Sequence, residues 1–84
     1  MKKVTIYTGP LCNYCDAAKR LLLRNNASFN EINIAVENGA MEEMIKKANG
    51  KKTIPQIFFD DEHIGGYDEI RALEKENKLL DLLK

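Results

Sequence analysis

The sequence predicts an α/β fold: a four-stranded mixed sheet with helices on both faces, in the order β-α-β-α-β-β-α. Three observations predict it. Apolar periodicity alternates between short β-prone runs and stretches with helical spacing. Clusters of Gly, Pro, Asn and Asp separate these runs. The early strands are divided by a helix, which implies parallel pairing through a right-handed crossover. The late ones are divided only by Asp60-Asp61, which implies an antiparallel hairpin.

Val4-Thr5-Ile6-Tyr7 forms the first β-prone run, and Thr8-Gly9-Pro10 breaks it. From about Tyr14 to Arg24, Ala17, Ala18, Leu21 and Leu22 alternate with Lys19 and Arg20 as an amphipathic helix, which Asn25-Asn26 ends. Phe29, Ile32 and Ile34 mark a second strand of imperfect alternation. Met41, Met44, Ile45 and Ala48 fall at i, i+3, i+4 and i+7, so a helix runs from about Gly39 to Ala48 and stops at Asn49-Gly50. Gln56–Phe59 and Glu62–Ile64 are the hairpin strands, and Gly65-Gly66 breaks the chain again. A last helix runs from about Asp68 to Lys75. Leu79, Leu80, Leu82 and Leu83 add an apolar turn or short helix that packs on the core.

Eighty-four residues suffice for one compact domain, taken as 1–84. A composition of 44% hydrophobic and 31% charged residues is that of a folded chain and not a disordered one. Thirteen basic residues balance thirteen acidic ones, which argues against nucleic acid as a partner. No stretch approaches the roughly 18 apolar residues of a membrane span. Lys2 and Lys3 precede a strand and not the apolar run of a signal peptide. Two cysteines are a thin framework for a small secreted domain. The expectation is a soluble cytoplasmic protein, monomeric, with neither nucleic acid nor membrane as partner.

Both cysteines fall in Cys12-Asn13-Tyr14-Cys15, between the first strand and the first helix. The free N–H groups and positive dipole end of a helix N-terminus favour an anion. A thiolate placed there has a lowered pKa and is the nucleophile of disulfide exchange. Cys12, at or before the first turn, is accessible and attacks. Cys15, inside the turn, resolves. A zinc site is the competing reading of C-x-x-C, but His63 is the one histidine and no third cysteine exists, so the usual ligands cannot complete it. Two buried structural cysteines are the other alternative.

Tyr7-Thr8, the C-x-x-C opening a helix, Thr53-Ile54-Pro55-Gln56 and Gly65-Gly66-Tyr67-Asp68-Glu69 come in the order and at the separations of one family. Across nearly the whole chain the sequence resembles the dithiol glutaredoxins. The resemblance implies a thioredoxin fold, a cytoplasmic setting and glutathione as co-substrate, with no resident metal. It implies a glutathione-dependent thiol–disulfide oxidoreductase that serves disulfide-containing or glutathionylated proteins and maintains redox homeostasis. It also implies a cis bond before Pro55, opposite Cys12, exposing the backbone of Ile54 to pair with glutathione like an added strand.

The glutathione-binding residues expected on this basis are Tyr14, Lys51, Thr53, Ile54, Pro55, Gly66, Tyr67 and Asp68. Lys51 would hold the glycyl carboxylate. Backbone N–H groups at the start of the last helix would hold the γ-glutamyl α-carboxylate, and the Asp68 carboxylate its ammonium. Asp68 is also read as the N-cap of that helix. Gly65-Gly66 permits close backbone approach. His63 is read as a hairpin residue and not as a base.

The sequence departs from the family pattern twice. Asn13 stands where the family typically has proline, restoring an N–H and loosening the loop. Gly9 stands where a lysine is often found, so a cation near the thiolate has to come from elsewhere, such as Lys51 or Lys19. Two other functions remain open. One is a thioredoxin-like reductase fed by a flavoprotein, against which the residues around Asp68 argue. The other is a [2Fe–2S] carrier held by Cys12 of two chains and two glutathiones.

Overall fold

The computed structural model describes residues 1–84. Strand β1 (Val4–Thr8) leads to helix α1 (Asn13–Arg24), strand β2 (Asn30–Asn33) and helix α2 (Ala40–Lys47). Strands β3 (Gln56–Phe59) and β4 (Glu62–Gly65) then precede helices α3 (Tyr67–Lys75) and α4 (Leu79–Leu83). The strands form one sheet in the order β2-β1-β3-β4. β1 and β2 are parallel, whereas β1–β3 and β3–β4 are antiparallel. The mixed sheet and its element order are those expected, and the leucine-rich end of the chain is a helix.

Burial explains which strands alternate cleanly. β1 and β3 are central, and every residue of β3 is buried. β2 is an edge strand with Asn30 and Glu31 exposed, so its apolar pattern is weak. On one face Val4, Ile6, Ile57 and Phe59 pack against Ala18, Leu21 and Leu22 of α1, Ile70 of α3 and Leu79 and Leu83 of α4. Fully buried leucines such as Leu21 and Leu22 each contribute roughly 1.5–3 kcal/mol of hydrophobic stabilisation. The other face is smaller: Tyr7 and Phe58 pack against Met44 of α2 and Ala48, its C-cap. There the Tyr7 hydroxyl donates to Glu43 Oε1 at 2.6 Å, fastening α2 to the sheet. Burial and this bond raise the Tyr7 pKa, while the same bond holds Glu43 below the usual carboxylate range.

The three longer helices end alike. Asn26, Asn49 and Asn77 take left-handed φ of 60°, 57° and 59° just past α1, α2 and α3. The following N–H returns to a carbonyl in the last turn: Ala27 to Leu22 at 3.0 Å, Gly50 to Ile45 at 2.8 Å and Lys78 to Leu73 at 2.9 Å. This is the Schellman closure, with asparagine where glycine is commonest.

Candidate active site

The chain leaves the central strand β1 at Thr8, turns through Gly9–Leu11 and enters α1 with Cys12 as its N-cap. Cys12 has extended backbone angles (φ −114°, ψ 99°), and its Sγ accepts the Cys15 N–H at 3.0 Å. The sulfur therefore occupies the place where a capping oxygen would sit, against the donors of the first turn. Cys12 and Cys15 are joined as a disulfide with Cα atoms 5.2 Å apart. Cys15 is 2% exposed, whereas Cys12 is partly exposed.

The Ile54–Pro55 bond is cis, as the resemblance implies. Ile54 O lies 4.0 Å from Cys12 Sγ, a contact and not a hydrogen bond while the sulfur is oxidised and carries no proton. Neither the N–H nor the C=O of Ile54 has a backbone partner, leaving a short unpaired edge beside the disulfide. A cleft of about 400 Å³ opens alongside, within the range of roughly 300–1,000 Å³ typical of small-molecule sites. Tyr14, Lys51, Thr53, Ile54, Pro55, Gly66, Tyr67 and Asp68 all line it, so the structure gathers the eight residues proposed for glutathione in one place. Cys12 is not itself in the lining and stands at the margin. Tyr14 and Tyr67 face each other across the rim with ring centroids 5.8 Å apart.

Two further residues line the cleft, Gln56 and Glu69, which belong to the family landmarks but not to the expected glutathione-binding set. Gln56 is 2% exposed, and its amide nitrogen donates to Thr53 O at 2.9 Å and Thr53 Oγ1 at 3.1 Å. Its oxygen lies 2.7 Å from His63 Nε2, so His63 donates there. His63 thus fixes Gln56, which holds the Thr53 loop. Burial depresses the His63 pKa, and the Lys51 charge adds to this, partly opposed by Glu69. The signal for Gln56 was its polarity at the head of an otherwise apolar strand.

Glu69 corrects the expected capping. Gly66, not Asp68, is the N-cap of α3, with extended angles (φ −102°, ψ −158°). Gly65 makes the turn at φ +128°, which carries Gly66 into the cap position, and the helix opens at Tyr67. Asp68 is therefore the second helical residue, exposed at the cleft. Glu69 Oε1 accepts the Gly66 N–H at 2.5 Å, one half of a capping box whose other half glycine cannot make. The donors left without an intrahelical partner are those of Tyr67, Asp68 and Glu69, since a glycine cap has no side chain to take the last.

The structure also places the two departures. A Cβ on Gly9 would lie 2.7 Å from Ile54 Cδ1, so a side chain there would have to displace the end of the Ile54 side chain. Lys19 is engaged by Glu31 at 3.1 Å and Asp16 at 3.7 Å and is not in the cleft, whereas Lys51 is. Thr8 Oγ1 donates to the same Glu31 at 2.8 Å, and this bond, with help from Lys19, lowers the Glu31 pKa. Asn13 is exposed on the first turn of α1.

The glutaredoxin family model matches residues 4–64. The chain is 46% identical over 84 residues to glutaredoxin 3 of Escherichia coli K12, covering 100% of both. The solution structure of glutaredoxin from Brucella melitensis superposes with a TM-score of 0.85 at 48% identity, over 100% of this chain and 90% of that one. A crystal structure of a buckwheat glutaredoxin–glutathione complex superposes with a TM-score of 0.86 at 25% identity, over 98% of this chain and 76% of that one. A cysteine pair at the mouth of α1, a thioredoxin-like sheet and full-length relatives at this identity lead to one conclusion: the chain belongs to the glutaredoxin family of oxidoreductases.

Proposed function

We propose that residues 1–84 act as one glutathione-dependent thiol–disulfide oxidoreductase domain, with Cys12 as nucleophile and Cys15 as resolving thiol. The observation that carries this reading is the single cleft beside Cys12, lined by a cation at Lys51, an open backbone edge at Ile54 and an acid at Asp68. Glutathione presents complementary groups: a glycyl carboxylate, a cysteinyl amide unit and a γ-glutamyl α-amino acid. The buckwheat relative solved with glutathione supports the same ligand.

In the reduced protein, the Cys12 thiolate attacks the glutathione sulfur of a mixed disulfide. A Cys12–S–SG bond forms, and the protein substrate leaves as a thiolate that takes a proton from solvent. A second glutathione thiolate attacks the bound sulfur, yielding glutathione disulfide and restoring Cys12. With a protein disulfide, Cys12 forms the mixed bond and Cys15 displaces the substrate's second thiol. This leaves the Cys12–Cys15 bond for glutathione to reduce.

The test is a coupled assay with glutathione, glutathione reductase and a small glutathione mixed disulfide. Wild type should turn over and Cys12→Ser should not. Cys15→Ser should keep this activity while losing reduction of protein disulfides. Activity retained by Cys12→Ser would sink the role assignment. Reduction of the protein by thioredoxin reductase and not by glutathione would sink the glutathione reading.

A further inference from the structure

Five residues other than glycine hold a positive φ. Four are Asn26, Asn49, Asp60 and Asn77, whose short polar side chains tolerate the left-handed region. The fifth is Leu11, at φ 53°, immediately before Cys12. A branched aliphatic residue is an outlier in that conformation, and such outliers cluster at functional sites. Packing does not explain it, because Leu11 is fully exposed and belongs to neither core. The structure holds a leucine where glycine or asparagine would sit more easily, and presents it whole to solvent beside the reactive sulfur.

The surroundings indicate what it meets. From Val4 to Cys15 there is no charged residue, although 31% of the chain is charged. Pro10, Leu11 and Tyr14 are exposed within that run. The disulfide thus stands between two unlike surfaces: a cleft with Lys51, Asp68 and Glu69, and an uncharged lip at Pro10–Leu11 that lines none of it. With glutathione in the cleft, the other partner of a mixed disulfide lies outside it. An uncharged lip offers no ionic complement to a charged segment and removes water favourably only from an apolar one.

We propose that Leu11 is a specificity-determining residue, docking an apolar side chain that flanks the disulfide under attack and favouring substrates whose cysteine sits in an apolar segment. This rests on Cys12 being the attacking thiol. The chemistry is unchanged: Cys12 takes the glutathione sulfur, and the peptide bearing the docked side chain departs as its thiolate.

The experiment uses two glutathionylated peptides of equal length, one with leucines and one with glutamates beside the modified cysteine. It reads the ratio of their kcat/KM values. Wild type should prefer the apolar peptide by about fivefold, the order expected from burying part of one leucine side chain. Leu11→Asn suits the left-handed backbone and should bring the ratio close to unity, and Leu11→Met should restore it. The wild-type preference should persist from low to high salt, since no charge pair creates it. A ratio of unity in wild type, or one unmoved by Leu11→Asn, overturns the proposal. A small glutathione mixed disulfide without flanking residues separates the two possible failures. If it turns over while the peptides are not discriminated, only the role of Leu11 falls. If no disulfide turns over, the oxidoreductase reading falls and the proposal with it.

Discussion

Gly65 shows how much of the site hangs on single backbone angles. Its φ of +128° is open to glycine and almost closed to other residues, and a Cβ there would lie 2.7 Å from both Cγ and Oε1 of Glu69. Gly65→Ala should therefore destabilise the protein by about 1–3 kcal/mol. It should also push Glu69 off the Gly66 N–H and shift the start of α3, raising the KM for glutathione. Urea unfolding and steady-state kinetics would check the two effects separately. At this scale the sequence was partly legible. Cys12 and Cys15 could be read from their spacing and from the strand-to-helix switch around them. Residue preference points to Asp68 as the cap, but the cap position depends on the turn at Gly65, which preference alone does not locate. The roles of Gln56 and Glu69 escape the sequence for a related reason: they are hydrogen bonds to Thr53 and Gly66 that only the folded loop creates.

Helix closure belongs to the scale of elements. Each of α1, α2 and α3 stops where an asparagine turns left-handed, a conformation that costs L-residues about 1–2 kcal/mol and glycine nothing sterically. Asn77 lies far from the cleft-lining residues and tests the closure cleanly. Asn77→Ala should lower stability by about 1 kcal/mol. Asn77→Gly should hold or raise it, measured as a shift in urea midpoint at constant slope. The sequence announced two of these stops, Asn25-Asn26 and Asn49-Gly50. The third stop is also placed by the sequence, at Lys75, but the asparagine that makes it, Asn77, is masked by the charged residues around it. Strand β2 was the least legible element because an edge strand, with one ladder and little burial, needs no clean alternation.

For the whole molecule, the tie between α1 and α3 sets a pH dependence. Arg24 donates Nη2 and Nε to the two oxygens of Glu74 at 2.7 and 3.0 Å, and the Asn25 amide adds a bond at 2.8 Å. The Arg24 bond first, then Asn25, hold the Glu74 carboxyl at about 2. An unfolded glutamate titrates near ~4.3. The contribution of Glu74 is thus complete above that value and is lost as pH falls towards 2. Glu74→Gln should be less stable at neutral pH, and its stability should fall less steeply across that acid window, as followed by denaturation at stepped pH. Salt should narrow the difference, because Arg24 is half exposed. Overall architecture was legible because period and breakers fix it locally. The cleft was not, since Tyr14, Lys51 and Asp68 are far apart in sequence and no local pattern joins them; only the family resemblance placed them together.

The sheet's two faces are unequal, eleven buried residues on one and four on the other, and α2 belongs to the smaller. Its eight residues contribute nothing to the larger core, in which α1 packs against α3. The amide hydrogens of α2 should therefore exchange with solvent through a partial opening of lower free energy than global unfolding, while those of β1 and α1 wait for the whole chain to unfold. Because Lys51 and Thr53 follow directly after α2, this least protected unit includes the approach to one wall of the cleft. Tyr14, which lines the cleft from α1, should belong to the most protected one.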